Sequence, residues 1–222
     1  MVNEKYHGLG TAPSVIRELF AYGLQQAKVV GKENVFDYSL GNPSIPAPAK
    51  VNETIKKLID TTDSIQLHGY SMAPGFENVR QAIADNLNAR FNCNAKASEL
   101  FMTCGCAPAL VSVAHALTTS PEDEFIAIAP FFPEYNVFFT CAGAKLAVVP
   151  ADTVHFQIDM DALEKTINEH SVAVVINSPN NPSGVVYTEE TLTKIAELLE
   201  RKSKEYGHPI YIVADEPYRE LV

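Results

Sequence analysis

The sequence predicts an α/β fold, a mostly parallel sheet sandwiched by helices. Three observations point there. Short apolar runs alternate with stretches of helical period. One run, Val172-Ala173-Val174-Val175-Ile176, is apolar at every position, as in a strand covered on both faces. Two turn-rich segments, NSPNNPSG at 177–184 and ADEPY at 214–218, follow such runs directly. Loops at the carboxyl ends of parallel strands are where open sheets bind their ligands.

The elements follow in order. Residues 1–48 include Gly41-Asn42-Pro43-Ser44-Ile45-Pro46-Ala47-Pro48, which proline bars from an internal helix. This stretch reads as an arm or a piece of another domain, and 49–222 as the first part of a large one. Val51, Ile55, Leu58 and Ile59 form an apolar stripe at helical spacing. Val79, Ile83 and Leu87 form a second, and Leu110, Val113, Ala114 and Leu117 a third. Strands are expected at 100–103, 125–129, 147–149, 172–176 and 210–213. The best-marked helix starts at Thr188 as N-cap, with Glu189 and Glu190 in its first turn. It carries the stripe Leu192, Ile195, Ala196 and Leu199, and stops at Gly207 and Pro209. That helix joins the two turn-rich segments into a βαβ unit.

At 222 residues the chain holds one large domain or one and a half small ones. Its 46% hydrophobic and 20% charged content exclude a disordered chain. The 17 Lys and Arg against 27 Asp and Glu give a net charge of −10, which argues against nucleic acid and anionic membranes as partners. A local anion site built from backbone amides stays open. Cysteines 93, 104, 106 and 141 form no CxxC pair, so neither a zinc ribbon nor a disulfide framework is expected, and no metal. The N-terminal residues lack a signal-peptide core, and no run approaches the roughly 20 apolar residues of a membrane span. A soluble cytoplasmic protein with reduced thiols is the expectation. Gly8-Leu9-Gly10 lacks a preceding strand and a third glycine, which leaves a nucleotide-binding reading weak.

Turn chemistry alone accounts for NSPNNPSG as a surface turn. In order, and one helix apart, NSPNNPSG and DEPY resemble the cofactor-binding signature of aminotransferases. The group is the class I/II, aspartate aminotransferase-like set of fold type I enzymes that use pyridoxal 5'-phosphate. The resemblance runs from about residue 39 to 222 and matches roughly the first half of a family member.

The resemblance implies a role for each of several residues. Asp215 pairs with the pyridine nitrogen and keeps it protonated, which makes the ring a better electron sink. Tyr218 and Asn181 donate to the phenolic oxygen of the cofactor. Cys106 and Ala107, opening a helix, offer backbone amides to the phosphate, with Pro108 suited to the first turn. Phe132 stacks on the ring, core packing being the rival reading for Phe131 and Phe132. Tyr70 reaches the phosphate of the other subunit, which implies a homodimer with shared active sites. Gly41 and Asn181 contact substrate. Pro217 and the Cys106-Ala107 pair depart from the commoner family pattern.

The family's Schiff-base lysine is expected downstream of Val222, together with arginines for the phosphate and the substrate carboxylate. Lys194, Lys202 and Lys204 sit on an outer helix instead. The implied activity is transfer of an amino group from an amino acid to a 2-oxo acid, with these residues supplying the ring site and part of the phosphate site. Without the lysine, the segment alone is not expected to transaminate. A lyase or synthase of the same fold, and a non-catalytic cofactor-binding module, stay open because all would anchor the ring alike.

Overall fold

A computed structural model describes residues 1–41 and 45–221. Asn42, Pro43 and Ser44, the middle of the proline-bearing stretch, lie outside the described residues. The chain divides into two compact units, Met1–Tyr70 and Ser71–Val222.

The first unit is helical: α1 (Glu4–Thr11), α2 (Val15–Val30), α3 (Ala49–Thr61) and α4 (Ser64–His68). Asn3 and Ser14 cap α1 and α2 through their side chains, accepting from the amides of Tyr6 and Arg17. The stretch read as an arm thus carries two helices. None of the described residues of this unit is buried. The expected stripe Val51, Ile55, Leu58 and Ile59 does lie on one helix, α3, but exposed.

The second unit contains α5 (Glu77–Phe91), α6 (Cys106–Leu117), β1 (Glu124–Ile128), α7 (Glu134–Cys141), β2 (Lys145–Val149), α8 (Met160–Thr166), β3 (Ser171–Asn177), α9 (Glu189–Tyr206) and β4 (Tyr211–Asp215). The four strands form a parallel sheet in the order β2-β1-β3-β4. This is the α/β architecture expected, with one correction. Residues 100–103 form no strand. A strand needs a ladder partner, and among the described residues none lies beside this run; the Met102 amide donates to the Pro74 carbonyl instead, at 3.1 Å. Phe101 stays exposed there.

Alternation along β1 sorts the core into two faces. Phe125 and Ala127 pack with Ala173 and Val175 of β3 against Leu110 and Ala114 of α6 and Tyr135 and Phe139 of α7. The Phe125 and Phe139 rings stack with centroids 4.2 Å apart. Ile126 and Ile128 point the other way, joining Val174 and Ile176 against Leu163 of α8 and Ile195, Leu198 and Leu199 of α9. Val174 is completely buried, as the continuously apolar run requires.

The winding direction positions the site. From β1 the chain crosses through α7 to β2 on one side, and later from β3 through α9 to β4 on the other. The strand order therefore reverses between β1 and β3, and a crevice opens at their carboxyl ends. Helix α9 is held as expected. Thr188 Oγ1 accepts from the Thr191 amide at 3.1 Å, and Gly207, at φ +77°, supplies the left-handed residue that ends the helix. Among the described residues, no helix is long and apolar enough to cross a membrane.

Candidate active site

Asn177 and Asp215 are the last residues of β3 and β4 and are paired in register, so the sheet alone sets them side by side. Both are buried. Asn177 uses both ends of its amide. Its Nδ2 donates to the Asp215 carbonyl at 2.8 Å, and its Oδ1 accepts from the Asn181 amide at 2.6 Å. The first contact ties the strand ends together, and the second folds the following loop back over them.

The next asparagine shapes that loop. Asn180 Oδ1 accepts from the amide and the hydroxyl of Ser183, at 3.0 and 2.7 Å, while its Nδ2 reaches the Pro130 carbonyl at 3.3 Å. Gly184, at φ +73°, takes a backbone conformation that a side chain would strain. NSPNNPSG is therefore a turn, as its composition demands, and a turn that presents one side chain inward. Asn181 Nδ2 donates to Tyr218 Oη at 3.4 Å, bringing the two segments together.

These groups open onto a cleft of about 250 Å³, room for a ring rather than a polymer. Asn181, Tyr218 and Asp215 line one part, and Leu110, Phe132 and Phe138 form an apolar wall. Cys106 and Ala107 line it where α6 begins. Gly105, at φ +107°, precedes that helix and has no side chain with which to cap its first amides. Pro217 also lines the cleft.

The sequence reading assigned Cys106, Ala107, Phe132, Asn181, Asp215 and Tyr218 to one site, and all six line this cleft. Gly41 and Tyr70 belong to the first unit and are exposed there. Phe132 both packs on the core and faces the cleft, its ring edge-on to Tyr135 with centroids 5.8 Å apart.

Two polar residues escaped the sequence reading. Asn177 was visible as the first letter of NSPNNPSG. Tyr135, three positions after Phe132 and in the first turn of α7, has no role in the sequence analysis. Its hydroxyl donates to Asp215 Oδ2 at 2.5 Å, and the Cys106 thiol donates to Asp215 Oδ1 at 2.9 Å. Burial, and then the Asp215 carboxylate, push the Cys106 thiol up to about 11 and raise the Tyr135 hydroxyl further still. Both therefore stay protonated and donate. No Lys, Arg or His lines the cleft among the described residues, so the negative charge of Asp215 is met by neutral donors alone.

Comparison with known proteins gives this arrangement a family. The profile of the family described as Aminotransferase class I and II matches residues 33–222. The chain belongs to that family. It is 30% identical over 209 residues to a probable N-acetyl-LL-diaminopimelate aminotransferase of Bacillus subtilis, covering 92% of this chain and 50% of that protein. It is 26% identical to a probable aspartate aminotransferase of Methanocaldococcus jannaschii, covering 95% and 51%. Among solved structures, an amino transferase from Eubacterium rectale superposes with a TM-score of 0.98 at 58% identity, over all of this chain and 56% of that one. The aspartate aminotransferase of Thermus thermophilus with maleate superposes at 0.82 with 24% identity, over 100% and 55%, which supports the fold alone. The four-stranded parallel sheet and its flanking helices are thus those of the aminotransferase neighbours. The chain spans about half the length of the curated relatives it matches.

Proposed function

We propose that this chain supplies the ring site, and part of the phosphate site, of an enzyme that transfers an amino group from an amino acid to a 2-oxo acid with pyridoxal 5'-phosphate. The observation that carries the proposal is the donor set of the cleft. A buried carboxylate with no cationic side chain beside it is costly unless a cation completes it. A protonated ring nitrogen is such a cation, and the apolar wall of Leu110, Phe132 and Phe138 suits the flat faces of the ring.

Each residue then has a task. Asp215 holds the proton on the ring nitrogen. Asn181 and Tyr218, neighbours at 3.4 Å, donate to the phenolic oxygen. Phe132 fixes the ring plane and excludes water from one face. The free amides of Cys106 and Ala107 point their dipoles at the phosphate. When bound, the cofactor supplies an electron sink for the bond broken at the substrate α-carbon.

Gly41 as a contact to the substrate carboxylate, and Tyr70 as a contact to the phosphate of a second subunit, belong to the same proposal. So do a homodimer, a cytoplasmic setting and a division of the chain near residue 48 between an arm and a large domain. The absence of any buried residue among those described in 1–70 supports the dimer, since apolar helix faces of this kind call for a cover.

The test is direct. Pyridoxal 5'-phosphate titrated into the protein bearing its full natural chain is expected to shift its absorbance on binding. Addition of an amino acid is then expected to shift it again, with a 2-oxo acid released. No spectral change in either step would sink the proposal.

A further inference from the structure

We infer that Tyr135 and Cys106 are positioning residues that clamp Asp215 between them, and that Cys106 acts as a neutral S–H donor rather than as a nucleophile. What the clamp does for catalysis rests on the cofactor reading above; the clamp itself rests on geometry. Asp215 has two oxygens, and each receives one donor from a different helix. Tyr135 of α7, completely packed within the core, takes Oδ2 at 2.5 Å. Cys106, the first residue of α6, takes Oδ1 at 2.9 Å from the cleft side. Asn177 of β3 fixes the Asp215 backbone through its carbonyl. A carboxylate held at one oxygen can still swing about its terminal torsion, which is broad. Donors on both oxygens, carried by separate elements of the fold, remove that freedom.

The same geometry decides what the thiol can do. Loss of the Cys106 proton would set a thiolate against a buried carboxylate, with no Lys, Arg or His lining the cleft among the described residues. Tyr135 and Tyr218 are the other titratable groups facing the pair; the Tyr135 hydroxyl donates to Asp215, and the Tyr218 oxygen accepts from Asn181. Cys106 is therefore disarmed although it lies at the mouth of a cleft, and it serves the orientation of Asp215.

Alkylation kinetics, read by peptide mass spectrometry on the natural protein, test this without relying on activity. With iodoacetamide at about pH 8, Cys106 is expected to react ~10-fold more slowly than Cys104 although both are exposed, because a thiol raised to about 11 carries ~100-fold less thiolate than an ordinary one, partly offset by the greater nucleophilicity of a more basic thiol. Asp215→Asn removes the charge, and is expected to raise the Cys106 rate at least ~5-fold with Cys104 unchanged. Tyr135→Phe leaves the thiol as the only donor to the carboxylate among the described residues, and is expected to slow Cys106 by ~3-fold.

Equal native rates at Cys106 and Cys104 would overturn the inference. So would a Cys106 rate indifferent to Asp215→Asn, or one unchanged or faster in Tyr135→Phe. If Asp215→Asn does not fold, the native protein and Tyr135→Phe still decide. Failure of the native protein to bind pyridoxal 5'-phosphate would sink the cofactor reading, yet leave these rates to judge the clamp.

Discussion

Asp215 shows how little of a site's chemistry lies in one residue. Its position comes from the register of β3 with β4, and its orientation from Tyr135 and Cys106. The two groups that donate to its oxygens are both raised, by burial first and by its carboxylate second, and so keep their protons. On the function proposed above, Asp215→Asn keeps the shape but cannot hold a proton on a ring nitrogen. In the full-length protein it is expected to slow amino transfer by ~100-fold or more while cofactor binding is largely retained, in line with the loss of an electrostatic stabiliser. Single-turnover absorbance measurements check this, and an undiminished rate would remove Asp215 from the mechanism.

The Cys106 thiol carries a pH signature with a definite sign. Its folded value is raised, so the neutral form is favoured by the fold. The stability it contributes is complete below the ordinary thiol range and is lost as pH climbs from about 9 towards about 11. Denaturation midpoints of the native protein are expected to fall across that alkaline window more steeply than those of Cys106→Ser, which keeps a donor but does not titrate there. Parallel curves would refute it.

At the scale of elements, the sequence was most legible where local signals agreed. β3 announced itself through unbroken apolarity, and α9 through Thr188, its acidic first turn and Gly207. The N-cap bond is the testable part. Thr188→Ala is expected to cost about 1 kcal/mol of stability, read by urea denaturation, with little effect on the cleft. A change within a few tenths of a kcal/mol would mean that packing of Ile195, Leu198 and Leu199 holds the helix without its cap.

Other signals misled. Residues 100–103 have the composition of a strand, but composition cannot supply a ladder partner, and the run hydrogen-bonds to Pro74 instead. Helices α1 and α2 are obscured in the sequence by Gly8, Gly10 and Gly23 and by the downstream prolines, and the local signals that mark their starts are the caps Asn3 and Ser14. In the site, NSPNNPSG and ADEPY carry residues that line the cleft, Asn177, Asn181, Asp215 and Tyr218. Tyr135 stayed hidden because its partner lies 80 positions away, a pairing that no local periodicity encodes.

At the opposite end of the sheet a second buried carboxylate does structural work. Asp123, just before β1, accepts from the amides of Thr119 and Ser120 at 2.6 and 2.8 Å, and from the Thr119 hydroxyl at 3.1 Å. Burial alone would raise it, but these three donors outweigh burial and hold it below the usual carboxylate range. Its contribution is therefore present above the unfolded value, about 3.9, and is lost as pH falls below it. Asp123→Ala is expected to cost about 2 kcal/mol near neutral pH and much less in acid. Equal losses at both pH values would show that the charge plays no part.

For the whole molecule, the contrast between the two units sets the order in which it should open. β1 and β3 are the central strands, laddered on both edges and buried on both faces, whereas no described residue of 1–70 is buried. Local opening is cheapest where apolar contacts are few. Hydrogen exchange is therefore expected to be slowest across 171–177 and 124–128. Helices α2 and α3 should exchange orders of magnitude faster unless another surface covers them. Val15, Leu19 and Tyr22 on α2, and Val51, Ile55 and Ile59 on α3, are the exposed apolar groups such a surface would bury. If a second copy provides it, full-length protein should sediment at twice its chain mass with 15–30 protected. Conditions that yield monomer should then release α2 and α3 while β3 keeps its protection. Strong protection of α2 in a protein that sediments as a monomer would refute the dimer and locate the cover within a single chain.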